Sequence, residues 1–393
     1  MQNNTLNIGL FGYGCVGKGF ASLATNYPEL NLRIKKICIR DAEKPRDLDA
    51  EYFTTDANSL LLDDEINVIV ELISDADAAF LIVKQALCNG KAVVSANKKM
   101  LAEHLEELVS LQQQFGVPLL YEGSVCGSIP VIRNLENYYD KEPLLGIEGI
   151  INGSTNYILT KLHANDIEYK TALAEAQALG FAEADPTLDV EGYDPVNKLC
   201  ILLLHAFGIF IKPESIFHKG ITGINAVDIA FAKKHHSRIK LLAKATQTEA
   251  GIQAYVLPHL VNGNSNLIAI DFETNSVAIH AAWSDLQQLT GKGAGSIPTG
   301  SAVLSDVLAI RKNYCYPYKK SVYNDNKPTL VDGIPLRIYL RAEASSLVDT
   351  TIFEEIEETF ENEHNTFYIG KTKLENLSKA AWIKDSGVSL IAL

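Results

Sequence analysis

The sequence predicts an α/β protein: an open parallel sheet flanked by helices, with a mixed α+β domain inserted and a small α+β domain at the end. Three observations predict it. Short apolar runs alternate with helical periods over the first third of the chain, and a glycine-rich turn joins the first run to the first helix. After about residue 140 that alternation stops, and a helical period resembling the early ones returns near 296–313.

Taken in order, LNIGLF is a strand-length apolar run and GYGCVGKGF turns into a helix. LRIKKICIR alternates like a second strand, and INVIVELI and KAVVSA supply two more. AAFLIVKQALCNG carries a helical period that stops at Gly90, and LAEHLEELVSLQQQFG stops likewise at Gly116, where glycine accepts the left-handed backbone of a helix end. VPLLYEGSV is expected as the next strand, closing a first domain over 1–140.

The inserted domain is expected over 141–295. LLGIEGIING suits a strand, TNYILTKLHAN and YKTALAEAQALG suit helices, and DPVNKLCILLLHAFG suits a buried helix. SRIKLLAKATQTEAGIQAYVLPHL is expected to run helix then strand, and NSVAIHAAW is a further strand. TGSAVLSDVLAIRK is a helix returning to the first domain, and NYCYPYKKSVYNDNKPTL is a turn-rich connector. A small domain over 325–393 then reads PLRIYLRA strand, TIFEEIEETFE helix, NTFYIG strand, a helix, and VSLIAL strand.

Composition narrows the function. Of 393 residues, 47% are hydrophobic and 21% charged, as in ordinary globular proteins. A net charge of −13 opposes nucleic-acid binding, which needs clustered lysine and arginine. The longest apolar stretch, CILLLHAFGIFI, contains His205 and falls short of the roughly 20 residues that span a bilayer. MQNNTLNIGL lacks the charged and apolar regions of a signal peptide, and six scattered cysteines form no CxxC pair. A cytoplasmic protein without zinc is expected.

Gly12-Tyr13-Gly14-Cys15-Val16-Gly17 is a G-x-G-x-x-G after a strand and before a helix. The first glycine permits the tight turn, the second admits a pyrophosphate to the backbone, and the third lets helix and strand pack closely. This is the fingerprint of a Rossmann-type dinucleotide site, against the alternative of a purely structural turn. At the end of the second strand an acid would hold a ribose 2′-hydroxyl and an arginine a 2′-phosphate. Arg40 precedes Asp41 there, which favours NADP with NAD tolerated. SANKK follows the fourth strand at the carboxyl edge, so Ser95 and Lys98 are candidate ligand contacts; a solvated lysine pair is the alternative.

EADPTLDVEGYDPVNKL, residues 183–199, concentrates carboxylates before one lysine and a long apolar run. Asp194 and Pro195 suit the N-cap and first position of a helix. Lys198 lies four residues on, sharing a face with Asp194, although a first-turn lysine opposes the helix dipole. Redox chemistry at an alcohol carbon needs a hydride partner and a proton donor or acceptor near the oxygen, a task lysine can fill. Glu183, Asp185 and Asp189 supply negative charge for a substrate ammonium. A calcium-binding acidic loop is the plain rival, but the spacing is not that of an EF-hand.

Here the chain resembles homoserine dehydrogenases. Their signature is matched from Ala176 through Gly180, Asp185-Pro186, Asp189 and Gly192-Tyr193-Asp194 to Lys198. GLFGYGCVGKG, SANKK, YEGSVCGSIPVIRNL, INGSTNYIL and GKGAGSIPTGSAVLSD extend the likeness over most of residues 1 to about 315. The resemblance implies reversible conversion of L-aspartate 4-semialdehyde to L-homoserine by NAD(P)H, in the biosynthesis of threonine and methionine. It implies Lys198 as proton donor and acceptor, Asp194 as its partner, Lys98 beside substrate and cofactor, and Glu183 and Asp189 on the substrate. Cofactor contacts fall on Asn152, Gly153, Thr155 and Gly295, beside the glycine turn. A monovalent cation, sodium, is implied at the Glu122 side chain and the carbonyls of Val125, Gly127 and Ile129. The inserted domain is implied to be catalytic and dimerising, in a homodimer or homotetramer. The tail lacks the D-x-P-G-V-L start of a regulatory ACT domain, and no kinase-like segment precedes the first strand, so a monofunctional enzyme is expected.

Two rivals stand beside this reading. An aspartate-semialdehyde dehydrogenase would act through a cysteine nucleophile, for which Cys126 in its glycine- and serine-flanked loop is the candidate. A nucleotide-sensing protein would keep the dinucleotide fold without turnover.

Overall fold

The computed structural model describes residues 5–165, 167–322, 328–344, 346 and 348–393. They fall into two compact units, one made of the described residues up to 141 with 291–322 and the other of those in 142–290 with those from 328 onward.

The first unit is built on six strands, β1 (Leu6–Phe11), β2 (Leu32–Cys38), β3 (Phe53–Thr54), β4 (Val68–Glu71), β5 (Ala92–Ser95) and β6 (Leu119–Leu120). Their order is β3-β2-β1-β4-β5-β6, and every pairing is parallel. This is the Rossmann arrangement, with its reversal of direction between β1 and β4. Helices cover both faces, so β4 and β5 are buried at every residue and read as apolar runs up to their last positions, Glu71 and Ser95. The Ser296–Ile310 helix packs on the Cys15–Asn26 helix through small residues. A Cβ on Gly19 would stand 2.1 Å from the Ser296 carbonyl oxygen, and one on Gly300 would stand 2.7 Å from the Phe20 nitrogen.

Two expectations in this unit change. Only Leu119–Leu120 of VPLLYEGSV is strand, because Glu122 begins a tight turn whose N–H bonds the buried Asp306 at 2.8 Å. The turn-rich connector is anchored as far as it is described: Tyr316 and Tyr318 are buried, and Tyr318 shares a 3.0 Å hydroxyl bond with Tyr121. Residues 323–327 of that connector, and with them the expected domain start at 325, lie outside the described residues.

The second unit adds β7 (Leu144–Ile150), β8 (Phe217–His218), β9 (Arg238–Gln247), β10 (Ile252–Val261), β11 (Thr274–Ala281), β12 (Asp285–Lys292), β13 (Pro335–Glu343), β14 (Phe353–Glu361), β15 (Asn365–Lys373) and β16 (Val388–Ala392). They form one mixed sheet in the order β12-β11-β7-β9-β10-β16-β13-β15-β14, with β8 beside β10. SRIKLLAKATQ, expected as helix, is strand β9, paired antiparallel with β10 over ten residues. Its long buried interior erases the period-two signal that would have betrayed it.

TIFEEIEETFE, also expected as helix, is edge strand β14. Glutamate favours helices, but here Glu355 meets Lys371 at 2.8 Å and Glu354 meets Lys373 at 2.6 Å across the strands. The tail is not a separate layer: β16 lies beside β10, and Ile252 bridges Leu330, so it extends the sheet of the inserted segment.

Candidate active site

In the second unit the side chains with chemistry converge where three segments meet. β7 ends at Ile150, and Asn152 then starts the Gly153–Asn165 helix. The acidic stretch forms one short turn, Thr187–Val190, and then the Tyr193–Phe207 helix. Gly192 enters that helix with φ of 92°, a left-handed conformation suited to glycine. Asp194 is therefore inside the first turn and not the N-cap, which is Gly192. The physical consequence is that its carboxylate turns to side chains instead of the helix's own N–H groups.

Lys198 is 7% exposed and Asp194 3%, held by a helix whose remaining positions are mostly buried and apolar. Lys198 Nζ donates to the Ile151 carbonyl at 2.6 Å and to Asp194 Oδ2 at 2.7 Å. Asn152 Nδ2 donates to that same Asp194 oxygen at 2.8 Å and to Asp189 Oδ1 at 2.7 Å. Ser154 Oγ reaches Asp189 Oδ2 at 3.0 Å. Burial, then the neighbouring Asp194, push the Asp189 carboxyl up from its ordinary value. An ammonium has three hydrogens, and two are engaged, so one remains for a substrate oxygen.

The other acids behave differently. Asp185 Oδ1 accepts from Thr187 N and Oγ1, closing its own turn. Glu183 is exposed, with its carbonyl held by Gln177 at 3.0 Å and its carboxylate outside the cluster. Asn152 Oδ1 accepts from Thr155 N and Thr155 Oγ1, both at 2.9 Å, so these two side chains brace the cluster. A Cβ on Gly153 would stand 2.8 Å from the Glu273 carbonyl oxygen. Ser154 and the Ile151 carbonyl were not singled out in the sequence. The backbone carbonyl of an apolar residue leaves no compositional trace, while Ser154 sits inside the INGSTN run that was.

In the first unit the glycine turn has the shape its sequence requires. Gly12 has φ of 92°, and a Cβ there would meet the Leu72 carbonyl oxygen at 2.7 Å. A Cβ on Gly17 would lie 2.3 Å from the Gly12 oxygen, whereas Gly14 faces open space at the N-cap of the Cys15–Asn26 helix. That helix has no acid in its first turn, so its N-terminal dipole favours an anion. The residues present therefore fit a dinucleotide. Val16 follows Cys15 in the first turn, and the Cys15 carbonyl accepts from Ser296 Oγ at 2.7 Å, beside Gly295, whose φ is 125°. Arg40 is exposed at the end of β2, while Asp41 Oδ1 is engaged with Glu43 N at 2.9 Å.

Ser95 is buried, and its hydroxyl donates to Glu71 Oε2 at 2.6 Å and accepts from Asn97 N at 3.1 Å. Asn97 caps the Lys98–Phe115 helix through Met100 N, placing the half-buried Lys98 at its first position. Cys126 is fully buried with φ of 56°, poorly placed for a nucleophile that must meet an aldehyde.

Buried Glu122 accepts from Ile132 N at 2.8 Å and Arg133 N at 2.9 Å. Burial, then the charge of Asp306, push its carboxyl up to about 8. Val125 and Gly127 are buried, and their carbonyls accept no hydrogen bond among the described residues; the Ile129 carbonyl accepts from Val131 N at 2.8 Å. A buried acid with unspent carbonyls beside it fits a monovalent cation.

Comparison with known proteins bears on both units. A family model described as homoserine dehydrogenase matches residues 130–308, and one described as the homoserine dehydrogenase NAD binding domain matches 12–122. The homoserine dehydrogenase of Helicobacter pylori is 38% identical over 314 residues, covering 78% of this chain and 74% of the relative. That of Bacillus subtilis is 35% identical over 317 residues, covering 78% and 73%. The crystal structure of a homoserine dehydrogenase from Thiobacillus denitrificans superposes with a TM-score of 0.84 at 28% identity, covering 99% of this chain and 98% of that one.

Proposed function

The chain belongs to the homoserine dehydrogenase family and is an NAD(P)-dependent oxidoreductase of amino-acid biosynthesis, and we propose that Lys198 is its proton donor and acceptor. The observation that carries this assignment is the buried chain of contacts from Lys198 through Asp194 and Asn152 to Asp189. The cofactor supplies the hydride that turns the C4 aldehyde of L-aspartate 4-semialdehyde into the alcohol of L-homoserine. Lys198 Nζ gives its third hydrogen to the developing alkoxide in reduction and receives it back in oxidation. Asp194 and the Ile151 carbonyl fix the ammonium so that this hydrogen has one direction. Asp189, with the exposed Glu183, would hold the substrate ammonium, and Lys98 would stand near the reacting group. Asn152 and Thr155 we assign to bracing the acids, and Gly153 and Gly295 to close backbone approach.

Arg40 supports NADP over NAD, because the acid beside it is already bonded to a backbone N–H. NADPH oxidation with the aldehyde and NADP+ reduction with homoserine should both proceed. Arg40→Ala should lower kcat/KM for NADPH by about tenfold, the weight of a charge-assisted hydrogen bond, and leave NADH unchanged. Equal losses with both cofactors would remove Arg40 from the 2′-phosphate. NADPH binding without turnover in either direction would favour the sensing alternative.

Glu122 and the carbonyls of Val125, Gly127 and Ile129 would hold a sodium ion, which would fix the turn between β6 and the next helix. Sodium chloride should then raise Tm above that in choline chloride at equal ionic strength, as a ligand of the folded state does. Glu122→Gln should abolish the difference; its persistence would place the ion elsewhere.

The proposal extends to a homodimer or homotetramer in the cytoplasm. Exposed Leu145, Trp283 and Leu286 on the second unit support association, and six cysteines not joined in disulfides suit a reducing compartment. Among the described residues no helix is long and apolar enough to cross a membrane.

A further inference from the structure

Glu71 is a fully buried carboxylate that the mechanism above does not use. It ends β4 at the carboxyl edge of the sheet, registered opposite Phe11 of β1 on one side and Ser95 of β5 on the other. That puts it one strand spacing, about 4.8 Å, from the entry to the glycine turn. The next residue, Leu72, bonds the Phe11 carbonyl at 2.8 Å and lies directly under Gly12.

Its two oxygens hold the neighbouring loops. Oε1 accepts from Ile73 N at 2.7 Å and Oε2 from Ser95 Oγ at 2.6 Å. Ser95 in turn orients Asn97, whose Nδ2 returns to the Ile73 carbonyl at 3.1 Å and whose Oδ1 caps the helix that begins at Lys98. One carboxylate thus closes a ring of contacts joining the β4 turn to the SANKK turn.

We propose that Glu71 is a positioning residue for the dinucleotide, and that cofactor binding and proton binding at Glu71 are coupled through the Ser95–Lys98 turn. The inference rests on the glycine turn being the cofactor site. The coupling has a physical cause. An ionised Glu71 stands buried beside the edge that receives an anionic pyrophosphate, so the cofactor binds the neutral form more tightly. Burial pushes the carboxyl up to about 7, opposed by the bonds from Ser95 and Ile73 N, so both forms are populated near neutral pH. Charged residues also stand on the elements packed around it. Asp75 caps its own helix at Ala78 N, Asp77 is exposed in that helix's first turn, Lys98 and Lys99 begin the next, and Asp306 pairs with Arg133.

The test is the NADPH dissociation constant, read by nicotinamide fluorescence from pH 6 to 9 in wild type, Glu71→Gln and Ser95→Ala. The 2′-phosphate also titrates, with pKa near about 6, but it does so in all three proteins. Glutamine imitates the neutral acid, so the ratio of wild-type to Glu71→Gln Kd should rise several-fold as pH passes about 7, with a limiting slope of about tenfold per unit for one proton. Ser95→Ala removes a bond that favours the ionised form, so its step should move to higher pH. That shift also decides the matter should Glu71→Gln fail to fold. A ratio constant with pH, or a Ser95→Ala profile that superposes on wild type, would leave Glu71 a structural brace and overturn the coupling. Absence of NADPH binding in wild type would instead overturn the cofactor assignment, and the inference with it.

Discussion

Lys198→Ala is expected to lower kcat by about 100-fold or more, the usual weight of a general acid–base group. The residue is 7% exposed, donates to a carbonyl and a carboxylate, and retains one hydrogen for the substrate. Alanine removes that hydrogen and leaves Asp194 with a buried charge short of its cation. Asn152 still reaches Asp194 at 2.8 Å, so the pocket should keep much of its shape. Cofactor affinity should hardly change, because the glycine turn and helix N-terminus that would hold the pyrophosphate do not include Lys198. Steady-state rates in both directions, paired with NADPH titration, separate these effects. Turnover within about threefold of wild type would remove Lys198 from proton transfer, since even the weakest acid–base groups carry more. Lys198→Arg is a useful control: its rigid fork keeps the charge but cannot repeat the geometry of a compact ammonium.

Much of this site was legible in the sequence because its chemistry needs particular residues at particular spacings. The glycines of the first turn are each forced by a backbone atom or by an open approach, so the pattern alone was informative. Lys198 and Asp194 share a helix face at four residues' separation, and the structure joins them at 2.7 Å. The role of Asn152 was less legible. It links two carboxylates that are 37 and 42 residues away, and no local pattern reports such a link. Glu71 was silent for the same reason: it hides in an apolar strand run, and its partner Ser95 is 24 residues distant.

The fold shows the same division. Alternating strands and helices in the first unit announce themselves, since each element is local. β9 and β14 were expected as helices because apolar and glutamate-rich runs fit helical periods. What made them strands was pairing with the next strand across a short turn: β9 with β10, and β14 with β15, where lysines answer the glutamates. Pairing energies of that kind are invisible to a window of ten residues.

Arg341→Ala should be the most damaging change away from the active site, destabilising the second unit by about 3–5 kcal/mol, the cost of breaking a buried ion pair from one side. Arg341 stands in β13, fully buried, and donates to Asp228 at 3.0 and 3.2 Å, to the Gly223 carbonyl at 2.7 Å and to Asn365 at 3.1 Å. Asp228 is buried too; it accepts from Tyr339 and completes the capping box of the Ala226–Lys234 helix. Removing the guanidinium would strand that carboxylate without its cation. For a unit of this size the loss corresponds to a Tm decrease on the order of 10 °C, measurable by calorimetry. The tail is tied into the rest of the unit by further contacts. Lys219, in the segment before Gly223, donates to the Ile383 carbonyl at 2.5 Å, and Ile221 N bonds the Val190 carbonyl at 2.8 Å, next to Asp189. Contacts thus run from the tail to the acidic turn, so melting the tail should take substrate binding with it. A Tm unchanged within about 2 °C, a shift smaller than one kcal/mol gives, would mean the tail is an appendage that the sheet can lose.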